Sequence, residues 1–148
     1  MKTILAAIDF SDLSKNIIDY AIEQARAQEA SIYLMHVQNP VPAFIGSEIE
    51  PQLVTEQVQE EAKRIEEDFH AVKEYVSKAG IGNEAEIVQG PVAESIIGKA
   101  EEKKCIMIII GVHAHGLMYR AFIGSISAAV IKHACCPVLV VPQKCCHK

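Results

Sequence analysis

The sequence predicts an α/β fold, a single doubly wound sheet of five parallel strands in the order 3-2-1-4-5 flanked by four helices. Two observations carry this prediction. Short apolar runs alternate with amphipathic helical segments along the chain, and one run, Cys105–Ile110, is apolar at every position. Such a run is typical of a strand that helices cover on both faces of a parallel sheet. The 148 residues, half of them hydrophobic, suffice for one domain with a packed core.

The N-terminal third follows the expected alternation. Thr3–Ile8 is a short apolar strand, and a helix follows from a cap at Ser11 or Asp12 to about Gln28, with apolar side chains at helical spacing. Ser31–Val37 is the second strand.

The rest of the chain repeats this pattern. Asn39–Ser47 contains two prolines and a glycine, which predicts a loop. Gly80 and Gly82 end a long helix that precedes the third strand, and the proline after Gly90 suits the start of the next helix. The later elements are a helix from about Glu50 to Lys78, a strand over Glu84–Val88, a helix from Pro91 to about Lys103, the apolar strand, a helix over Ile123–Ala134 and a strand over Val138–Val141.

Composition excludes several classes of protein. The formal charge is -5 and the pI is about 5.7, and no predicted face carries a Lys/Arg cluster, so a nucleic-acid-binding surface is not expected. No apolar run reaches the roughly 18 to 20 residues that span a bilayer. The apolar stretch at the N-terminus stops at Asp9, too early for a signal peptide, which indicates a cytoplasmic protein.

The five cysteines fit that compartment. Cys105 is expected to be a small buried hydrophobe. The adjacent pairs Cys135-Cys136 and Cys145-Cys146 lack the C-x-x-C spacing of zinc or redox sites. We expect a domain over residues 1–142 and a flexible tail over 143–148, which either binds a soft metal weakly or is simply a disordered thiol-bearing end.

A candidate anion site lies near the C-terminus. Gly124-Ser125 opens a helix, whose free N–H groups and positive dipole end can hold phosphate, and Ser125 can also cap that helix. The first and fourth strands end near Asp9 and Gly111, and open α/β sheets bind ligands where such strands part. Structural explanations remain open: Asp9 as a helix-capping acid, Gly111 as a strand terminator, and Gly124-Ser125 as a plain loop-to-helix junction.

Two histidines and an arginine near this site are candidates for metal ligands or for partners of phosphate. His113 and His115 lie on one side of an extended loop, but a third ligand is not evident nearby in sequence, so we expect no metal site. Arg120 is the better candidate for positive charge near phosphates. His36, near the end of the second strand, is expected to be structural.

These residues resemble the universal stress protein family. The opening ILAAIDFSDLSKNIIDYA is similar to the family's first strand with its aspartate. Nucleotide-binding members carry Gly-x2-Gly-x9-Gly-Ser/Thr, and here the register gives Gly111, Ala114 and Gly124-Ser125. Alanine replaces the second glycine. If position 114 needs a positive φ, alanine costs about 1 kcal/mol or more. If it needs only a close approach of the backbone to the phosphate, the methyl group is either tolerated or displaces the phosphate.

The resemblance implies a Rossmann-like domain with a nucleotide site at the carboxyl ends of the strands. Asp9 matches the acid beside the nucleoside, and Val37 matches a residue whose backbone meets the adenine edge. The positions that match the family's nucleotide-binding residues are Ala7, Asp9, Val37, Ile110, Gly111, Ala114, Gly124, Ser125 and Ile126.

The function implied is a cytoplasmic regulatory module of the stress response that binds ATP, or AMP or ADP, with Mg2+ accompanying the phosphates. No Walker lysine or base for water is evident, so hydrolysis is expected to be slow at most. The resemblance and the apolar last strand, Pro137–Val141, imply a homodimer paired along that edge. The alternative is a dimeric interaction protein of the same fold that binds no nucleotide. A flavin or dinucleotide enzyme is disfavoured because G-x-G-x-x-G is absent after the first strand.

Overall fold

The computed structural model describes residues 1–38, 51–112 and 123–143, and the predicted strand order is confirmed. Five parallel strands form one sheet in the order β3-β2-β1-β4-β5. In chain order the elements are β1 (Lys2–Ala7), α1 (Asp12–Gln28), β2 (Ala30–Gln38), α2 (Pro51–Lys78), β3 (Asn83–Gln89), α3 (Val92–Glu102), β4 (Met107–Val112), α4 (Ser125–His133) and β5 (Val138–Pro142).

The bounds of the elements differ from the sequence predictions by one or two residues at most ends. Cys105 is buried as expected, but it lies just before β4, because that strand begins at Met107 and continues past Gly111 to Val112. The predicted loop Asn39–Ser47 and the tail beyond Gln143 lie outside the described residues. No helix in the described ranges combines the length and apolarity needed to cross a membrane.

The sheet separates two apolar layers. Side chains alternate between the faces of a strand, so Ile4 and Ala6 of β1 pack with α1 and α2, whereas Leu5 packs with α3 and α4. All three are fully buried. The central strand is therefore covered on both faces, as the apolar runs of the sequence predict.

The topological switch point, where the order of the strands reverses, lies beside β1. Its register pairs Ala7 with Met35 of β2 on one side and Ala6 with Ile109 of β4 on the other. The chain leaves β2 toward one edge of the sheet and β4 toward the other, so a crevice opens at the carboxyl ends of these three strands.

Helix α1 approaches β4 at Gly111 more closely than any side chain would allow. A Cβ atom built on Gly111 would lie 2.5 Å from Leu13 Cδ2 and 2.9 Å from Leu13 Cγ and Ile17 Cδ1. Leu13 and Ile17 are buried core residues, so neither can move without disturbing the packing. The glycine is therefore required by the contact between helix and sheet, whatever else it does.

We expect Gly111→Ala to lower the free energy of unfolding by about 1–3 kcal/mol, because the added methyl overpacks the α1–β4 contact. Gly98→Ala is the matched control. Gly98 lies on the exposed side of α3, where a Cβ would meet nothing within 4 Å, and alanine favours the helix by up to about 1 kcal/mol. Urea denaturation of the two variants measures the difference, and equal stabilities would contradict the close-contact explanation.

Candidate functional site

A cleft of about 440 Å³ opens at the carboxyl ends of β1, β2 and β4 and reaches the first residues of α3 and α4. Eight of the nine sequence-predicted site residues line it, although they come from widely separated parts of the chain. The ninth, Ala114, lies outside the described residues, as do His113, His115 and Arg120. The eight are Ala7, Asp9, Val37, Ile110, Gly111, Gly124, Ser125 and Ile126.

The turn between β1 and α1 holds the Asp9 carboxylate by three hydrogen bonds. Asp9 Oδ1 accepts from the Ser11 N–H at 3.0 Å, from Ser11 Oγ at 2.6 Å and from Ser14 Oγ at 3.1 Å. The structural explanation of Asp9 is thus partly correct, because its side chain stabilises the start of α1. Ser11, however, occupies the N-cap position itself.

Phe10, the next residue, has a φ of 60°, which side-chain-bearing residues rarely adopt. Its ring lies 4.9 Å from that of His36 and 5.4 Å, edge-on, from that of Phe69 on α2. His36 Nδ1 is 2.9 Å from the Ile8 carbonyl oxygen, to which it donates, so this histidine is structural as predicted. Aromatic packing on both sides therefore holds the strained turn that carries Asp9.

The backbone of Val37 points into the cleft. The Met35 carbonyl accepts from the Ile8 N–H on the β1 side, and the Gln38 carbonyl accepts from the Gly90 N–H on the β3 side. Backbone groups alternate between the two sides along a strand, so the Val37 N–H and C=O face the β1 side. Because β1 ends at Ala7, this donor and acceptor lie beyond its last residue.

The start of α4 differs from the prediction in one respect. Gly124 is the N-cap and Ser125 the first helical residue, so Ser125 does not cap the helix, and no side chain does. The first turn contains no acidic residue. The N–H groups of residues 125–127 precede the first intrahelical bond, from Ala128 to Gly124, and are available to a ligand.

Gly124 has no structural explanation among the described residues. Its φ of -56° is open to any residue, and a Cβ there would meet nothing within 4 Å. In this respect it is the opposite of Gly111. The missing side chain leaves space directly in front of the helix start.

Sequence reasoning missed two serines that contact this cleft or its acid. Ser14 and Ser127 are the buried polar residues of the described chain. Ser127 lines the cleft, and its hydroxyl lies 3.5 Å from the Gly111 carbonyl oxygen, a weak contact. A serine in an apolar helical stripe was the available signal, because burying a hydroxyl costs free energy unless it finds a partner.

The remaining lining is apolar. Met35, Val92, Ile96 and Ile110 cover the part of the cleft between β2, β4 and the start of α3. Asp9 is the one charged side chain among the described lining residues. One end of the cleft therefore suits a flat apolar group, and the other suits hydroxyls and an anion.

The cysteines and metal-ligand residues form no second site in the described chain. Burial raises the pKa of the Cys105 thiol to about 11 and also raises that of Cys136, which keeps both thiols protonated and unreactive at neutral pH. Among the residues described, no cluster of three or more His, Cys, Asp or Glu side chains is arranged for a metal ion.

Comparison with known sequences gives one consistent result. A sequence model of the universal stress protein family matches residues 1–142. Universal stress protein MJ0531 of Methanocaldococcus jannaschii is 33% identical over 144 residues, covering 96% of this chain and 82% of that protein. A universal stress protein of Thermus aquaticus is 34% identical over 141 residues, covering 95% and 98%.

Solved structures share the fold. Protein MJ0577 superposes with a TM-score of 0.71 at 26% identity, covering 97% of both chains. A universal stress protein in complex with cAMP (TM-score 0.68, 21% identity, 95% of both chains) shows the same architecture. So do one from Archaeoglobus fulgidus in complex with dAMP (0.63, 22%, 95% and 97%) and one from Arabidopsis thaliana with AMP bound (0.68, 19%, 97% and 93%).

We expect Asp9→Ala to lower the free energy of unfolding by about 1–2 kcal/mol without any ligand, because the start of α1 loses hydrogen bonds to a charged acceptor. Asp12→Ala is the matched control: it removes an exposed acid from the first turn of the same helix, which is worth about 0.3–1 kcal/mol through the dipole. Thermal denaturation of both compares them. Equal losses of stability in the two variants would contradict a stabilising role for the Asp9 hydrogen bonds.

Proposed function

Because the chain belongs to the universal stress protein family, we propose that it binds ATP or a related adenine nucleotide in the cleft, as a cytoplasmic regulatory module of the stress response. The observation that carries this proposal is the start of α4, which has no capping side chain, no acid in its first turn, and a glycine for which the described packing gives no reason. A phosphate held by the N–H groups of residues 125–127 accounts for all three features.

The opposite end of the cleft supports the choice of adenine. Adenine carries a hydrogen-bond donor, its amino group, next to an acceptor, a ring nitrogen. The Val37 C=O and N–H provide the complementary pair, and the apolar side chains of Met35, Val92 and Ile96 suit the faces of the base. Asp9 lines the same cleft, and its carboxylate can accept hydrogen bonds from ribose hydroxyls.

The nucleotides bound by relatives support the same chemistry. Universal stress proteins of this fold have been solved with cAMP, dAMP and AMP, and these ligands share an adenine and one phosphate. For this chain, ATP is the finer proposal, with Mg2+ screening its additional charges. We propose the contacts with the nucleoside and phosphates that the family resemblance implies for Ala7, Ile110, Gly111, Ala114 and Ile126.

The described residues favour binding over catalysis. Asp9 is the single charged side chain of the described lining, and it already accepts hydrogen bonds from Ser11 and Ser14. The described lining contains no lysine or arginine to stabilise the charge on a transferred phosphoryl group. Hydrolysis by this protein is therefore proposed to be slow at most.

We also propose a homodimer that forms along β5. The two edge strands of the sheet differ in chemistry: β3 carries Glu84 and Glu86, paired with Lys103 at 2.7 Å and Lys99 at 3.1 Å, whereas β5 carries none. Charged side chains discourage edge pairing. The β5 edge, built from Pro137, Val138, Leu139, Val140 and Val141, is the edge open to a second copy.

For nucleotide binding, calorimetric titration of the protein with AMP and with MgATP should give dissociation constants in the micromolar range. Gly124→Trp should weaken binding at least tenfold, because the indole occupies the space in front of α4. Lys132→Trp places the same side chain on an exposed position of that helix and should bind normally. If neither nucleotide gives heat or thermal stabilisation at millimolar concentration, the protein is instead a nucleotide-free interaction module.

For the dimer, Val140→Pro should give a monomer by light scattering. The Ile108 N–H donates to the Pro137 carbonyl, so residues 137, 139 and 141 bond to β4 and the N–H of Val140 faces outward. Proline there removes a donor from the open edge and leaves the β4 ladder intact. Gln89→Pro, at the end of β3, is the control and should stay dimeric. A persistent Val140→Pro dimer would place the interface elsewhere.

A further inference from the structure

The Asp9 carboxylate is oriented by serines rather than by packing. Its side chain is exposed and follows the end of β1, where an isolated carboxylate would sample several rotamers. Instead, one oxygen accepts hydrogen bonds from Ser11 and Ser14, both in the first turn of α1 or directly before it. Three donors on one oxygen restrict the group to one direction.

Ser14 has no other evident reason to be buried. It is 5% exposed on the face of α1 that packs Leu13, Ile17 and Ile18 into the core. An apolar side chain at this position would bury more surface and need no partner. The hydroxyl instead reaches Asp9 Oδ1 at 3.1 Å, so the serine is explained by the acid and not by the helix.

The Ser11 side chain also bonds to Asp9 instead of to the helix backbone. An N-cap serine normally accepts a hydrogen bond from an N–H of the first helical turn. The Ser11 side chain makes no such bond, and its hydroxyl donates to Asp9 at 2.6 Å. The residue that would stabilise α1 directly therefore acts on the carboxylate.

Aromatic packing at Phe10 also fixes the turn that carries Asp9. Phe10 keeps its left-handed backbone because its ring packs between His36 and Phe69. Backbone strain of this kind costs of the order of 1–3 kcal/mol and persists where a defined geometry is needed. A rotationally fixed acid on a strained, rigid turn is the arrangement of a selective recognition group.

We propose that Ser11 and Ser14 are positioning residues, which aim the Asp9 carboxylate at the sugar of the bound nucleotide and so set a preference for ribonucleotides over 2′-deoxyribonucleotides. This inference rests on the proposed nucleotide binding. A carboxylate accepts from both ribose hydroxyls only when it is correctly turned, and a deoxyribose offers it one hydroxyl fewer. The serines therefore act on the difference between the two sugars, not on the base or the phosphate.

The experiment is a set of calorimetric titrations with AMP and dAMP, which differ only at the 2′ position. Wild-type protein should bind AMP about tenfold more tightly than dAMP. Ser11→Ala and Ser14→Ala should each reduce that preference about threefold or more, because AMP loses two hydrogen bonds to the carboxylate whereas dAMP, which keeps the 3′ hydroxyl, loses one. Ser31→Ala, which removes a hydroxyl bonded to the Lys2 carbonyl at the opposite end of the sheet, should keep the wild-type preference.

A double-mutant cycle separates positioning from general structural damage. If the serines act through the acid, then Ser11→Ala and Ser14→Ala should have no further effect on either nucleotide in an Asp9→Ala protein. Should Ser14→Ala fail to fold, Ser11→Ala decides the question, because its side chain makes no capping bond.

The two proposals fail in different ways. Wild-type protein that binds neither nucleotide would overturn the proposed function and this inference together. If AMP and dAMP bind equally well, or if the serine variants keep the full preference that Asp9→Ala loses, nucleotide binding stands and the positioning role is wrong. An additive effect of the serine variants in the Asp9→Ala background would also overturn it.

Discussion

The contact between α1 and β4 at Gly111 determines the geometry of the whole cleft. Because no Cβ separates them, Leu13 and Ile17 lie directly against the strand. The helix start is thereby drawn to the edge of the sheet where β4 ends, and the Asp9 turn comes to line the same cleft as α4. A bulkier residue at 111 would push the helix outward and separate the Asp9 carboxylate from the start of α4.

The two buried serines of the described chain lie beside this cleft or beside its acid. Ser14 bonds to Asp9, which lines the cleft, whereas Ser127 lines the cleft itself and lies near the Gly111 carbonyl. Buried hydroxyls lower stability unless they are paired. A serine at each of these positions buries less apolar surface than an aliphatic side chain would, so the polar groups are kept there at a cost in packing.

Most of the fold was predictable because its signals are local. Apolar periodicity marked every described element to within a few residues, and the apolar run before Gly111 indicated a sheet covered on both faces. For the candidate site, the sequence predicted residues that line one cleft but not how their groups are arranged. The packing role of Gly111 was missed because it depends on Leu13, nearly a hundred residues away, and the expected capping role of Ser125 was wrong because the first helical bond forms at Gly124.

The sequence by itself determined the order and type of the elements, the layered core and the family, since each depends on residue patterns along a continuous stretch of chain. The tertiary structure decided which groups act together: the serines on Asp9, the direction of the Val37 backbone, and the different reasons for two glycines. These depend on distances between atoms that the chain brings together only on folding, and no local pattern encodes them.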